Sequence, residues 1–259
     1  MSSYWKNRLA DAQDAITNKT HKQVEKQLKK YYASTMKQVI ADFEATYDKL
    51  LATIDKDKEP TPADLYKLDK YWQLQAQTRA RLQKLGEKNI TALSKAFEIN
   101  FFEVYYSLNI EGMEAFSTLD DAMVAQVINQ IWVADGKNFS QRVWDNTDRL
   151  LQTLEEGLLH TVATGKKPTE LKQILQERFG VSYRRADTLV RTELTHIQTV
   201  AAQKRYEDYG IQYVEVLVDA DERTCDKCKE LIGKKFPVGS TPPLPVHPNE
   251  RCSVIPVLD

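Results

Sequence analysis

A regular stripe of apolar side chains constrains the first part of this chain more than any other sequence feature. A spacing of three or four residues places such side chains on one face of an α-helix. We predict one helix from about Tyr4 to Ile54, which at about 1.5 Å per residue would be roughly 75 Å long. Other helices or partner chains must cover a stripe of that length. From Val24 onward, its members are Leu28, Tyr32, Met36, Val39, Phe43, Tyr47, Leu51 and Ile54.

Composition and charge exclude several classes of protein. The chain has 259 residues, of which 42% are hydrophobic and 28% are charged, as in ordinary globular domains. Its 36 Lys and Arg residues balance 37 Asp and Glu residues, so no overall charge attracts it to nucleic acid or anionic lipid. The first residues lack the apolar core of a signal peptide, and no run approaches the roughly 18 apolar residues of a membrane span. We therefore expect a folded protein with no membrane partner.

Further helix signals continue as far as Gly210. The charged segment from Asp55 to Thr61 predicts a turn. Apolar positions predict a second helical run with Leu65 to Leu85 and a third with Ile90 to Tyr105. Capping side chains, prolines and glycines predict four more helices, at about 117–132, 140–165, 168–180 and 182–210.

The chain changes character after Gly210. β-branched and aromatic residues predict one strand in IQYVEVLV, which begins at Ile211, and another in CSVIPVL, which begins at Cys252. The three cysteines lie between residues 225 and 252, and six of the nine prolines lie between residues 237 and 256. We predict an α+β protein, in which a long, extended and mainly helical N-terminal region precedes a small C-terminal module with β-strands. The predicted domains are 1–115, 116–210 and 211–259.

Four side chains in this tail have the spacing of a metal site. Cys225 and Cys228 are separated by two residues, and His247 and Cys252 follow after a long loop. Thiolate and imidazole ligands in this number suit tetrahedral Zn²⁺. A segment this short and rich in proline buries little apolar surface, so a bound metal can tie its loops together. We predict that these four residues hold a structural zinc ion that stabilises the module.

Other interpretations of the cysteines stay open at this level. Unliganded thiols on a turn and a redox pair of Cys225 and Cys228 both fit the spacing, although no βαβ pattern supports the redox role. Four filled positions would leave no place for water or substrate, which favours structural over catalytic zinc. Glu250 is an alternative ligand in place of His247 or Cys252.

Charged residues near the module give weaker signals. His196 is interpreted as a structural histidine, and no phosphate loop, nucleophile elbow or metalloprotease motif predicts a catalytic residue. Three acidic residues before the first cysteine are interpreted as a solvated strand exit without a catalytic role: Asp219, Asp221 and Glu222. Four basic residues on one predicted helix are the candidates for DNA contact, with a salt-bridged face as the alternative: Arg184, Arg185, Arg191 and Lys204.

The tail as a whole resembles a known family. The segment DERTCDKCKELIGKKF, which begins at Asp221, is followed by HPNERC, which begins at His247. Together they resemble the Mu F-like head-morphogenesis proteins of tailed phages, which are minor head proteins. The resemblance extends back through RTE at Arg191, NFSQRVW at Asn138 and the YWxxR opening of the chain. Family members commonly have HPNCRC at the last element, whereas this chain has Glu250 in place of the first of those cysteines.

This resemblance implies a virion protein, present in few copies, at the capsid interior or the portal vertex. Its implied partners are the portal protein, other capsid and head proteins and, as a further partner, phage double-stranded DNA. It implies assembly in the cytoplasm of the host bacterium and a role in head morphogenesis, extending to DNA packaging or ejection. Some relatives have a C-terminal toxin or ADP-ribosyltransferase module, and we expect none after Asp259. We therefore predict a non-enzymatic assembly protein.

Two alternatives from other functional classes stay open. A metal-dependent nuclease or hydrolase would need an open metal position beside Asp219 or Asp221. A zinc-stabilised DNA-binding module would place the four basic residues named above on phosphates, and its binding would weaken steeply with salt.

Overall fold

The computed structural model describes residues 3–51, 69–110, 113, 119–164, 168–218, 224–248, 250 and 252–258. Helices make up most of this part of the chain, and a small sheet is built from its last 50 residues, so the predicted α+β class is confirmed. The helices are α1 (Ser3–Leu51), α2 (Asp69–Ser107), α3 (Asp121–Asn129), α4 (Phe139–Ala163), α5 (Pro168–Asp208) and α6 (Asp226–Lys229). The strands are β1 (Tyr213–Val218), β2 (Lys235–Pro237) and β3 (Cys252–Pro256).

Helix α1 confirms the prediction made from the apolar stripe. It begins at Ser3 and is described as far as Leu51. The predicted end at Ile54 and the predicted turn at Asp55–Thr61 lie outside the described residues. Stripe members along the helix are buried, among them Val24, Leu28, Tyr32, Val39 and Phe43.

The predicted separation of the second and third helical runs is wrong. The two runs form the single helix α2, which passes through Gly86 without a break. A Cβ atom at residue 86 would lie 2.5 Å from Cζ3 of Trp144, closer than packed carbon atoms can approach. This glycine therefore permits close packing between α2 and α4 and does not end a helix.

A second predicted break, between 168–180 and 182–210, is also wrong. Both segments belong to α5, which passes through Gly180. A glycine inside a helix costs about 1 kcal/mol relative to alanine, and the packing of buried positions on both sides of it offsets that cost. These positions keep one helical spacing across the glycine: Leu171, Leu175, Phe179, Ser182, Ala186 and Val190.

The shorter helices lie close to their predicted places. Asp120 caps α3 by accepting a hydrogen bond from the backbone N–H of Ala122 at 2.9 Å. Helix α3 ends at Asn129, earlier than the predicted Trp132, because Gln130 has an extended backbone. Helix α4 lies close to its predicted range. The predicted boundary residues Ser117 and Gly165 lie outside the described residues.

The chain forms two compact units, each assembled from separated segments. The first contains Met1–Glu25, Ala92–Phe139 and Thr188–Asp259, and the second contains Lys26–Thr91 and Ser140–Asp187. The predicted domains 1–115, 116–210 and 211–259 stay a prediction. Within the described ranges, none of the helices combines the length and apolarity needed to cross a membrane.

The first unit contains the sheet and the C-terminal part of α5. The strand order is β2-β1-β3, and both pairs are antiparallel. Val216 in β1 pairs with Val254 in β3, and both side chains are buried. The carbonyl oxygen of Val254 accepts hydrogen bonds from Gln13 in α1 at 3.0 Å and from the Tyr206 hydroxyl in α5 at 3.2 Å. These bonds fix β3 against both helices.

The second unit joins parts of α1, α2, α4 and α5. Arg81 in α2 pairs with the Asp42 carboxylate in α1 through two nitrogens, one of them at 2.9 Å. Asn146 in α4 donates to the Tyr32 hydroxyl at 3.1 Å and to the Ser182 carbonyl at 2.9 Å. Polar side chains therefore help to fix the register of these helices.

The two helical glycines of the second unit predict opposite effects of substitution by alanine. Gly86→Ala should lower the free energy of unfolding by about 1–3 kcal/mol, because the new methyl group would overlap the Trp144 ring. Gly180→Ala is the matched control, since the nearest atom to its Cβ would be Arg184 Nη1 at 3.7 Å. It should raise the free energy of unfolding by about 0.5–1 kcal/mol through helix propensity. Urea unfolding of both variants checks this, and equal stability of the two would contradict it.

Candidate metal centre

Cys225 and Cys228 lie at the start of a single helical turn. Cys225 is the N-cap residue of α6, and its Sγ accepts a hydrogen bond from the backbone N–H of Cys228 at 3.4 Å. The two Sγ atoms are also 3.4 Å apart. Cys228 is buried and Cys225 is half-buried. The turn therefore presents both sulfurs on one side, as a two-thiolate metal knuckle requires.

His247 comes to the same turn from the loop before β3. Its Nε2 atom lies 3.2 Å from the Sγ of Cys228, and its Nδ1 atom lies 3.0 Å from the carbonyl oxygen of Pro248. In the tautomer that donates from Nδ1 to this carbonyl, Nε2 keeps its lone pair for a metal. Such a second contact commonly orients histidine ligands.

Cys252 and Glu250 form a second group with Cys228. One carboxylate oxygen of Glu250 and the two Sγ atoms all lie within 4.8 Å of one another. The exposed fractions are 3% for Cys228, 5% for Glu250 and 1% for Cys252. Cys252 is the first residue of β3, where it pairs with Val218 of β1. The sheet therefore fixes this group from one side, and the loop that contains Glu250 fixes it from the other.

The structure brings the predicted ligands together in two overlapping groups. Cys225, Cys228 and His247 form the first, within 4.8 Å of one another, and Cys252 joins Cys228 in the second. We name these four residues together with Glu250 the Cys228 cluster, which has five donors. Sequence spacing offered Glu250 only as an alternative ligand, because its burial depends on how the loop folds.

Burial and neighbouring charges shift the pKa values of this cluster. Burial raises the pKa of the Cys228 thiol to about 12. The pKa of Cys252 is raised by burial and then by its contact with Glu250. The pKa of Cys225 is lowered, chiefly by the N–H of Cys228. Without a metal, the two buried thiols are therefore neutral, and a bound metal ion would have to displace their protons.

The donors present fit a zinc ion. Three thiols with an imidazole and a carboxylate are the ligand types that Zn²⁺ takes in proteins. The Oε1 atom of Glu250 is buried and has no hydrogen-bond partner among the described residues, so a positive charge at this place would satisfy it. Cys225, Cys228, His247 and Cys252 would hold the ion, which would link the turn, the loop and the sheet.

His196 lies on α5, away from the cluster, and fixes another part of the same loop. It is 7% exposed, and its Nδ1 lies 2.9 Å from the carbonyl oxygen of Leu244. Its ring stacks on Trp132 with the ring centres 4.1 Å apart. Trp132 in turn donates from Nε1 to the buried carboxylate of Glu193 at 2.9 Å. His196 and Trp132 also line a cavity of about 540 Å³ between α3, α5 and the loop.

The four basic residues predicted for DNA contact lie on α5. Arg184 and Arg185 are exposed and belong to the second unit, whereas Arg191 and Lys204 belong to the first. The Lys204 ammonium group pairs with Asp208 at 2.9 Å and with Glu207 at 3.2 Å. DNA contact by these residues stays a prediction. The acidic residues considered for catalysis all lie outside the described residues: Asp219, Asp221 and Glu222.

Comparison with known proteins agrees with the geometry of the tail. Residues 152–255 match the family model of the Phage Mu protein F like proteins. This match supports the resemblance to the Mu F-like proteins that the motifs of the tail indicate. The match contains the whole of α5, the whole sheet except its last residue and all five donors of the Cys228 cluster. It supports a phage head protein and a virion location.

A curated protein matches over a longer segment. The NAD(+)–arginine ADP-ribosyltransferase EFV of Enterococcus faecalis is 28% identical over 159 residues, which are 59% of this chain and 32% of the relative. The chain therefore spans about a third of that relative's length. No solved structure matches this chain.

The buried His196 predicts a pH dependence of stability. Burial lowers its pKa from the usual 6.5 to about 4, so the unfolded chain binds a proton there that the folded chain does not. The free energy of unfolding therefore carries no penalty from His196 above about pH 6.5. As the pH falls from 6.5 towards 4, proton binding by the unfolded chain lowers that free energy by at most about 3 kcal/mol. His196→Gln should therefore unfold with a weaker pH dependence between pH 6.5 and 4.

Thermal unfolding at a series of pH values measures this effect. His160→Gln is the matched control, because His160 is exposed on α4. The control should keep the pH dependence of the unchanged protein. An equal pH dependence in both variants would show that His196 does not titrate in this way.

Proposed function

We propose that this chain is a minor head protein that binds the portal protein and acts in head assembly without catalysing a reaction. The match of residues 152–255 to the Phage Mu protein F like family is the observation that supports this function. The sequence adds support because it contains none of the common catalytic motifs. The transferase activity named for the curated relative is not part of the proposal, since the chain spans about a third of that protein.

The long helices supply the surface for this role. Side chains on α1 and α2 that do not face the core include several large apolar ones, which are available for contact with a partner protein. The most exposed are Tyr4, Trp5, Trp72, Ile99 and Tyr106. We propose that the portal protein or another head protein is that partner, in the capsid interior or at the portal vertex.

Co-expression with the portal protein tests the assembly role. We expect the chain to sediment with portal rings in a gradient and to stay with them at moderate salt, because the proposed contact includes apolar side chains. Migration as a free protein with intact fold and metal would contradict portal binding. DNA cleavage that Cys228→Ser abolishes would instead support the alternative of a metal-dependent nuclease.

We further propose that the Cys228 cluster holds one structural zinc ion. Cys228 belongs to both donor groups, which makes it the position where a single substitution affects every arrangement of ligands. The segment between β1 and β3 has one short helix and one three-residue strand among its described residues. A metal ion that joins Cys225 and Cys228 to His247 and Cys252 would hold this segment where a core of regular structure is small.

Zinc content measures this proposal directly. The purified, reduced protein should contain about one zinc ion per chain, and Cys228→Ser should contain close to none and melt at a lower temperature. Ser240→Ala is the control, since Ser240 is exposed on the same module and belongs to no donor group. It should keep both the metal and the melting temperature. A metal-free but fully stable unchanged protein would contradict the structural zinc.

A further inference from the structure

Glu250 is held in a fixed orientation inside the module. Its Oε2 atom accepts hydrogen bonds from the backbone N–H groups of Val246 and His247, the latter at 3.3 Å. Its own carbonyl oxygen lies 3.5 Å from the hydroxyl of Thr195 on α5. The side chain is 5% exposed, so these contacts fix a buried carboxylate and not a solvated one.

The second carboxylate oxygen of Glu250 is unpaired. Oε1 is buried and has no hydrogen-bond partner among the described residues. The carboxylate lies with the Sγ atoms of Cys228 and Cys252, within 4.8 Å, and both of those side chains are also buried. A divalent cation bound among these groups would displace the thiol protons, and its positive charge would balance the buried carboxylate and the two thiolates.

We propose that Glu250 is a metal ligand and that its Oε1 atom joins the thiolates of Cys228 and Cys252 around the ion. This inference rests on the zinc centre proposed above and revises its ligands, since Glu250 takes the place of either Cys225 or His247. The three buried donors form the fixed part of the site. Either Cys225 or His247 then fills the fourth position of the tetrahedral ion. Both are half-buried and form the other donor group with Cys228.

This assignment predicts an order among the ligands. Without Glu250, both half-buried donors, Cys225 and His247, would have to bind the ion together. Without His247, the three buried donors stay and Cys225 fills the fourth position. Glu250→Gln should therefore weaken zinc binding more than His247→Ala. We expect about ten-fold weaker binding or more for Glu250→Gln, because a neutral amide is a poor zinc ligand.

The glutamine substitution also separates a ligand from a positioning residue. Glutamine at position 250 keeps a side-chain oxygen that can accept from the N–H groups of Val246 and His247. If Glu250 only positions the loop, Glu250→Gln should bind zinc normally while Glu250→Ala should not. If Glu250 is a ligand, both variants should lose affinity, and Glu250→Asp should bind zinc more tightly than Glu250→Gln because it keeps a carboxylate.

The experiment measures Zn²⁺ affinity of the full chain by competition with a chromophoric chelator, together with the visible absorption of the Co²⁺-loaded protein. Glu250→Gln should change the cobalt absorption, which reports the ligands themselves, while far-UV circular dichroism shows that the variant is folded. Glu230→Gln is the matched control, since Glu230 is exposed on the same module. It should leave affinity and spectrum unchanged.

Two results would overturn the inference while leaving the zinc centre in place. One is a Glu250→Gln protein with the affinity and cobalt spectrum of the unchanged chain. The other is a loss of zinc affinity in His247→Ala that exceeds the loss in Glu250→Gln. That result would show that the ion depends on His247 more than on Glu250. Absence of zinc and cobalt binding in the unchanged chain would overturn the zinc centre and this inference together.

Discussion

The complete burial of one stretch of α5 is the constraint on which the first unit depends. Seven consecutive residues, Glu193 to Thr199, are buried, although a helix on a protein surface normally buries only one face. Five of the seven are polar: Glu193, Thr195, His196, Gln198 and Thr199. Polar groups inside a protein need hydrogen-bond partners, so every side of this stretch must be met by another part of the chain.

Several partners of this stretch are loops and strands of the tail, and others are Asp14 in α1 and Trp132. Gln198 donates to the hydroxyl of Ser253 in β3 at 3.1 Å and to the Asp14 carboxylate in α1 at 3.2 Å. His196 meets the carbonyl oxygen of Leu244, and farther along α5 Gln203 accepts from the N–H of Gly239 at 2.9 Å. A loop forms few hydrogen bonds between its own backbone groups. Here the side chains of α5 form hydrogen bonds with several of those groups. The polar helix face is therefore what allows an irregular segment to pack against it.

Much of this architecture could be predicted from local sequence patterns. The stripe of α1 and the strands β1 and β3 follow from periodicity and residue type, which act over a few neighbouring residues. The prediction divided α2 after Leu85 and α5 at Gly180. Local patterns could not show that the packing of buried positions carries each helix on, in α2 through a glycine that lies against Trp144. Strand β2 gave no signal, since its three residues end in Pro237 and are strand only through pairing with β1.

Part of the Cys228 cluster can also be predicted from neighbouring residues, and part depends on contacts that form only when the chain folds. The spacing of Cys225 and Cys228 is a local signal, and the turn that follows from it brings both sulfurs to 3.4 Å. The burial of Glu250 is not local, because it depends on the turn of the loop at Val246 and on the packing of β3 against α5. Sequence alone could therefore name Glu250 as an alternative but could not show that its Oε1 lacks a partner.

The helix face and the cluster both involve Glu250 and otherwise contact different parts of the tail. Side chains of α5 contact Gly239, Thr241, Leu244, Glu250 and Ser253, so they fix the chain from the end of β2 to β3. The turn with Cys225 and Cys228 is held in another way. Its two sulfur atoms lie with His247, and the sulfur of Cys228 also lies with that of Cys252. A metal ion bound by the cluster would fix this turn, just as the side chains of α5 fix the loop. Loss of the metal should therefore loosen the turn first, while the loop that His196 and Gln203 hold stays in place.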